Sequence, residues 1–158
     1  MLHIKTKLKD LKSKNRVYYM KEVQDIEKLE IYNLSETFKQ HIKNAFQEEK
    51  SSLQEYFVEN QSFERLYILI SKENTHKQEI LFLGKYFSKL PESFTLMLSD
   101  SENIKILIET ALLSRYTFQE YKSEKKKDSI EIFIESSQKK MVEDSFERVK
   151  NIILARDL

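Results

Sequence analysis

The sequence predicts an α/β domain built around a mostly parallel sheet, and three features carry that prediction. Short apolar runs alternate along the 158 residues with stripes at helical spacing. Two of the runs, Leu66-Tyr-Ile-Leu-Ile70 and Ile80-Leu-Phe-Leu83, are nearly continuous, as in strands covered by helices on both faces. The length suits one core, since a domain of this size buries roughly 68–70% of its extended surface. Strands and helices interleaved in this way favour a central sheet with helices on both faces and some antiparallel pairing at an edge.

Taken in order, residues 3 to 8, Arg16-Val-Tyr-Tyr-Met20 and Leu29-Glu-Ile-Tyr32 are strand candidates, rich in aromatic and β-branched residues and bounded by Lys, Asn and Asp. Asn33 with Glu36 three residues later has the form of a capping box, and Leu34, Phe38, Ile42, Ala45 and Phe46 then fall on one helical face. Such a face is built for a core, because each large apolar side chain buried there contributes about 1.5–3 kcal/mol before entropy is subtracted. Tyr56-Phe-Val58 reads as a short strand and is followed by the two continuous runs, with Asn74 and Lys77 in a turn short enough for a hairpin. Phe94-Thr-Leu-Met-Leu98 predicts a further strand. Ser99 or Asp100 then caps a helix bearing Ile104, Leu107, Ile108, Ala111 and Leu112 on one stripe. A lysine-rich turn at Lys125-Lys-Lys127 leads to the strand Ile130-Glu-Ile-Phe-Ile134. A last helix starts near Ser137, with Val142, Phe146, Val149 and Ile153 facing inward. Between Gly84 and Phe94 a full crossover helix does not fit, so Tyr86-Phe-Ser-Lys-Leu90 is expected to form one helical turn, or the flanking strands not to be parallel neighbours.

Composition narrows the function classes. Hydrophobic residues make up 40% and charged residues 34%, which excludes an intrinsically disordered chain. With 27 basic against 26 acidic side chains the net charge is +1, so no long-range field draws the molecule to nucleic acid or anionic lipid. The absence of cysteine excludes disulfides and thiolate metal sites and suits a reducing cytoplasm. No apolar run approaches the roughly 20 residues of a membrane span, and the first residues alternate charge with apolar side chains, unlike a signal peptide. A cytoplasmic protein with no membrane partner is therefore expected. The single glycine, Gly84, and the single proline, Pro91, exclude the glycine-rich phosphate loops of dinucleotide and nucleoside-triphosphate sites.

Few residues suggest chemistry of their own. His3, His41 and His76 lie far apart and in no ligand spacing, so no metal is expected, and His41 beside Ile42 reads as a boundary residue. The Glu48-Glu49 pair, read as helical neighbours, would point about 100° apart and form a solvated face. Lys122, Lys125, Lys126 and Lys127 near Tyr116, Phe118 and Tyr121 form a basic cluster interleaved with aromatics, the pattern that holds nucleic acid by charge and stacking. Glu124 and Asp128 partly neutralise it, and nucleic acid is not among the expected partners.

The stretch Ala111-Leu-Leu-Ser-Arg-Tyr-Thr-Phe-Gln-Glu-Tyr-Lys122 closes an apolar helix with spaced aromatics, and it resembles the leucyl aminopeptidase (cytosol aminopeptidase) family. That family's N-terminal domain ends its last large crossover helix with a pattern like Gly-Ala-Leu-Leu-x-x-Tyr-x-Phe-x-x-Tyr-Lys. Here Ala111, Leu112, Leu113, Tyr116, Phe118, Tyr121 and Lys122 fall in register. Val149-Lys-Asn-Ile-Ile-Leu-Ala-Arg-Asp-Leu158 is similar to the helix leading into the family's catalytic domain, with Ala155, Arg156, Asp157 and Leu158 at the start of its interdomain signature. Ile80-Leu-Phe-Leu-Gly-Lys85 looks like a family strand that ends in Gly-Leu-Gly-Lys, which places Gly84 and Lys85 at a strand end. Two family glycines are replaced, by Phe82 and Thr110.

The resemblance implies a macrodomain-like three-layer sandwich, with residues 1–136 as the α/β domain and 137–158 as a helix leading toward a catalytic domain absent from this chain. For the full-length parent it implies a metal-dependent exopeptidase that releases N-terminal amino acids, with two divalent ions (manganese or zinc) and a homo-hexameric assembly. The family's catalytic and metal-binding residues all belong to the C-terminal domain, so none is carried onto these positions. The domain itself is expected to be structural, to have no cofactor, and to pack against its own catalytic domain. The alternatives are a stand-alone macrodomain-like binder of ADP-ribose and a nucleic-acid module using residues 122–127.

Overall fold

A computed structural model describes residues 2–58, 65–98, 103–120, 129–134 and 138–156. In chain order these form β1 (Leu2–Lys5), β2 (Asn15–Met20), α1 (Glu36–Phe46), β3 (Ser52–Phe57), β4 (Arg65–Ile70), α2 (His76–Phe87), β5 (Ser93–Met97), α3 (Ile104–Glu120), β6 (Ser129–Phe133) and α4 (Lys139–Arg156). A 3₁₀ turn at Leu8–Asp10 follows β1, and a longer 3₁₀ segment, Val23–Tyr32, precedes α1. The strands assemble in the order β1-β6-β5-β2-β4-β3. Every neighbouring pair is parallel except β3 and β4, so the expected mixed sheet with one antiparallel edge pair is the one formed.

Alternation along the strands divides the apolar residues between two cores. Val17, Tyr19, Leu69, Leu96 and Ile132 point to one face and pack beneath Phe82, Leu83 and Phe87 of α2, Ile108 and Ala111 of α3, and Val142 of α4. Tyr18, Met20, Ile68, Ile70 and Met97 point to the other, beneath Ile26 and Leu29 of the 3₁₀ segment and Ile42 and Phe46 of α1. Strand β2 is central, flanked by β4 and β5, and residues Val17 to Met20 are buried on both faces, which accounts for their near-continuous apolar character. The result is a three-layer α/β sandwich.

Several local expectations are corrected. Ile80-Leu-Phe-Leu83 is the middle of α2 and not a strand, and Asn74 and Lys77 do not form a hairpin turn. Thr75 caps this helix, its hydroxyl accepting from the Gln78 amide at 3.2 Å, so Thr75-His-Lys-Gln78 has the sequence of a capping box. The residues that turn inward, Glu79, Phe82, Leu83 and Phe87, recur at helical spacing, whereas Ile80 and Leu81 stay exposed at 41% and 58%. Gly84 and Lys85 therefore sit within a helix, not at a strand end. Because α2 begins at His76, it supplies the crossover from β4 to β5 that the segment after Gly84 alone could not.

Leu29-Glu-Ile-Tyr32 is 3₁₀ and not strand. Both sides of β2 are already paired, so the chain leaves the sheet there and lays Ile26 and Leu29 over its face. Helix α1 is capped by Ser35, whose Oγ accepts from the Phe38 amide at 3.2 Å. Asn33 adopts φ 50° instead, a left-handed conformation that asparagine tolerates. Glu48 and Glu49 lie exposed beyond the end of α1, so their solvated character follows from the turn and not from helical geometry. Strand β3 begins at Ser52, earlier than expected, and β1 ends at Lys5, earlier than residue 8. The expected caps at Ser99 or Asp100, the helix start at Ser137 and the turn at Lys125, Lys126 and Lys127 lie outside the described residues.

Candidate functional site

Two clefts open at the carboxyl ends of the parallel strands, and both are lined by Lys21, the residue after β2. The connection leaving β2 runs over one face of the sheet, through the 3₁₀ segment and α1, whereas α2 and α3, which follow β4 and β5, run over the other. A crevice where successive connections part in this way is the usual ligand position in open α/β sheets.

The larger cleft, about 890 Å³, has α2 as one wall through His76, Ile80 and Gly84, the outer side of α3 as its floor through Ile106 and Thr110, and Arg148 of α4 opposite. Arg148 pairs with Glu109 at 3.4 Å. Glu79 lies at the sheet end of the cleft and is only 4% exposed. One carboxylate oxygen accepts from the Tyr19 hydroxyl at 2.6 Å. The other accepts from Ser71 Oγ at 2.5 Å and from Lys21 Nζ at 3.4 Å. Burial, and then the hydrogen bond to Glu79, push the Tyr19 phenol above its ordinary range, so it remains a donor. Both Glu79 oxygens are thus occupied. The group ties α2 to the ends of β2 and β4 and is not poised as a general base.

Buried polar groups also lie across the other face. The register sets Glu131, Thr95 and Arg16 side by side on β6, β5 and β2. Glu131 accepts from Thr95 Oγ1 at 2.6 Å, from the Lys12 amide at 3.0 Å and from the Ser13 amide at 3.4 Å, which holds the β1–β2 connection against the sheet. Arg16 donates to the Tyr32 hydroxyl at 3.1 Å, and Tyr32 is hydrogen-bonded to Tyr18. Burial, and then the neighbouring Tyr32, push the Tyr18 phenol up. On the α3 side Arg115 is buried and donates to the carbonyls of Leu90 and Pro91, bracing the turn between α2 and β5.

The residues singled out from sequence are dispersed. His3 is exposed on edge strand β1, His41 is exposed with its ring edge-on to Tyr56, and His76 lines the larger cleft. Among the described residues no group of three or more His, Cys, Asp or Glu side chains is placed to hold a metal ion. Ala111 faces the core, with Leu112 and Leu113 half-buried beside it. Tyr116 and Phe118 fall within α3, Ala155 is exposed on α4, and Arg156 ends that helix. Tyr121, Lys122, Lys125 to Lys127, Asp157 and Leu158 lie outside the described residues.

Sequence reasoning missed the Glu79 network. Its signal was the spacing of Glu79 with Phe82, Leu83 and Phe87 behind a Thr-x-x-Gln cap, hidden by the apolar run that also fits a strand. Among the described residues no helix is long and apolar enough to cross a membrane. The sequence matches no family model, and no curated protein is significantly similar to it.

Proposed function

We propose that this chain is the non-catalytic N-terminal domain of a leucyl aminopeptidase-type metallopeptidase, acting as a scaffold that packs against its own catalytic domain and helps build a hexamer. The observation that carries the reading is the aromatic-spaced run from Ala111 to Lys122, whose first part lies on α3 with Ala111 at 1% exposure in the core. Support comes also from α4, which carries Ala155 and Arg156 at its end and packs its Val142 into the same core as α3. The fully partnered state of Glu79 suits a structural role better than a catalytic one. The exopeptidase chemistry and its two manganese or zinc ions would then belong to the catalytic domain.

Two measurements test this. Sequencing the transcript past codon 158 is expected to read into an Asn-Thr-Pro segment and then a metal site bearing lysine and aspartate; a stop codon at that point would overturn the assignment. Incubating the chain with leucine p-nitroanilide and manganese is expected to give no turnover, and robust hydrolysis would overturn the scaffold role.

A further inference from the structure

The smaller cleft, about 430 Å³, lies on the α1 side of Lys21. Three lysines from three elements converge on it: Lys21 after β2, Lys43 on α1 and Lys72 after β4. Glu22 is the one acidic side chain in the lining, and the amides of Gln40 and Gln47 complete its polar rim. We propose that this cleft binds the phosphate group of a small phosphorylated molecule, held by the ammonium groups of Lys21, Lys43 and Lys72.

Convergence from three elements into one concavity, with Phe46 beneath, sets these lysines apart from those on an ordinary solvated face. Lys28, Lys39, Lys139 and Lys150 each lie within 4.0 Å of a carboxylate three or four residues away. Lys43 and Lys72 have no carboxylate partner among the described residues, although they share a concavity with a third cation. Three ammonium groups facing one carboxylate in a shared concavity leave an excess of positive charge, which a bound dianion would offset.

Two of the three ammonium groups are already placed. The Lys72 amide donates to Ser51 Oγ at 2.7 Å, and its ammonium rests 5.4 Å from the centre of the Phe46 ring. Lys21 is held from the opposite side by Glu79 at 3.4 Å. The volume falls in the range of about 300–1,000 Å³ typical of small-molecule sites, large enough for a phosphate ester. In a chain with one glycine, recognition falls to lysine point charges instead of a backbone cradle. The position at the carboxyl ends of β2 and β4 is where α/β sheets take ligands. None of this depends on the aminopeptidase reading.

Calorimetric titration of the chain at low salt with inorganic phosphate, pyrophosphate and a hexose monophosphate tests the site. Saturable one-to-one binding that weakens as salt rises is expected for at least one of them. Tighter binding of the hexose monophosphate than of inorganic phosphate supports the phosphorylated ligand, and the reverse would overturn that assignment. Lys43→Gln and Lys72→Gln, on side chains that are exposed and half-buried, are each expected to weaken binding about fivefold, and Lys150→Gln, remote on α4, not at all. Circular dichroism verifies that the variants are folded. No saturation by any of the three anions, or equal affinity in the folded Lys43→Gln, Lys72→Gln double variant, would overturn the proposal.

Discussion

The two faces of the sheet draw on the same strands but are sealed by different means. One lies under three α-helices and is mostly apolar, its buried polar groups including Glu79 at the strand ends and Arg115 on α3. The other is covered by a 3₁₀ segment and α1, and over β5 and β6 it is closed by the β1–β2 connection, pinned through Glu131. Where helical cover gives out, hydrogen bonds to a buried carboxylate replace side-chain interlocking. The helical face should therefore be most sensitive to lost volume, and the other face to lost hydrogen-bond partners.

The largest effect is expected on the helical face. Phe87 and Phe94 are fully buried and stacked, with ring centres 6.3 Å apart. Phe94→Ala should cost about 3–5 kcal/mol, a large share of the roughly 5–15 kcal/mol that separates folded from unfolded domains. Urea denaturation would measure it, and a loss below about 1 kcal/mol would mean that this core is far looser than its packing suggests.

On the opposite face Glu131→Ala comes next. It strands the Lys12 and Ser13 amides and the Thr95 hydroxyl, and a loss of about 2–4 kcal/mol is expected. The change has a signature that Phe94→Ala lacks: amide hydrogen exchange should accelerate at Lys12 and Ser13 well beyond the rest of the sheet. Uniform acceleration would break the contrast between the faces.

This contrast also explains what could be read from the sequence. Strands β2, β4, β5 and β6 were legible because each is a compact apolar run with polar ends, and α3 because Ile104, Leu107, Ile108 and Ala111 repeat at helical spacing. Helix α2 was misread because Ile80 and Leu81, though exposed, extend the apolar run formed by Phe82 and Leu83, so periodicity was masked where strand and helix patterns overlap. The 3₁₀ segment was misread for a different reason: Leu29-Glu-Ile-Tyr32 has strand composition, and only the pairing of β2 on both sides denies it a place in the sheet. The helical spacing hinted that Glu79 turns inward, but the partners of Glu79 and Glu131 were not legible. Their donors come from distant positions that become neighbours only once strand order is set.

Alkaline pH probes both faces together, because Tyr18 and Tyr19 point in opposite directions from β2. Burial raises both phenols above the unfolded value of about 10. A raised folded value means that the stability contribution is intact below about pH 10 and is lost as pH rises above it, by about 1.4 kcal/mol per pH unit for each buried phenol. Urea midpoints should be flat from pH 7 to 9 and fall beyond. Tyr19→Phe should remove part of that slope; if the slope persists in a Tyr18→Phe, Tyr19→Phe double variant, its source lies elsewhere.

The smallest effect has the opposite sign. Gly84 lies in the middle of α2, where glycine costs about 1 kcal/mol relative to alanine, and its φ is not positive, so its backbone conformation does not require the lack of a side chain. A β-carbon placed there would stand 3.6 Å from Ser114 Oγ, an ordinary contact with α3. Gly84→Ala should therefore stabilise the domain by about 0.5–1 kcal/mol and raise Tm by about 1–4 °C. If the helical face is sealed by interlocking side chains with some room between α2 and α3, that gain will appear in a thermal melt. A loss would show that the two helices already touch as closely as they can at this point, and that the only glycine in the chain is kept there for packing.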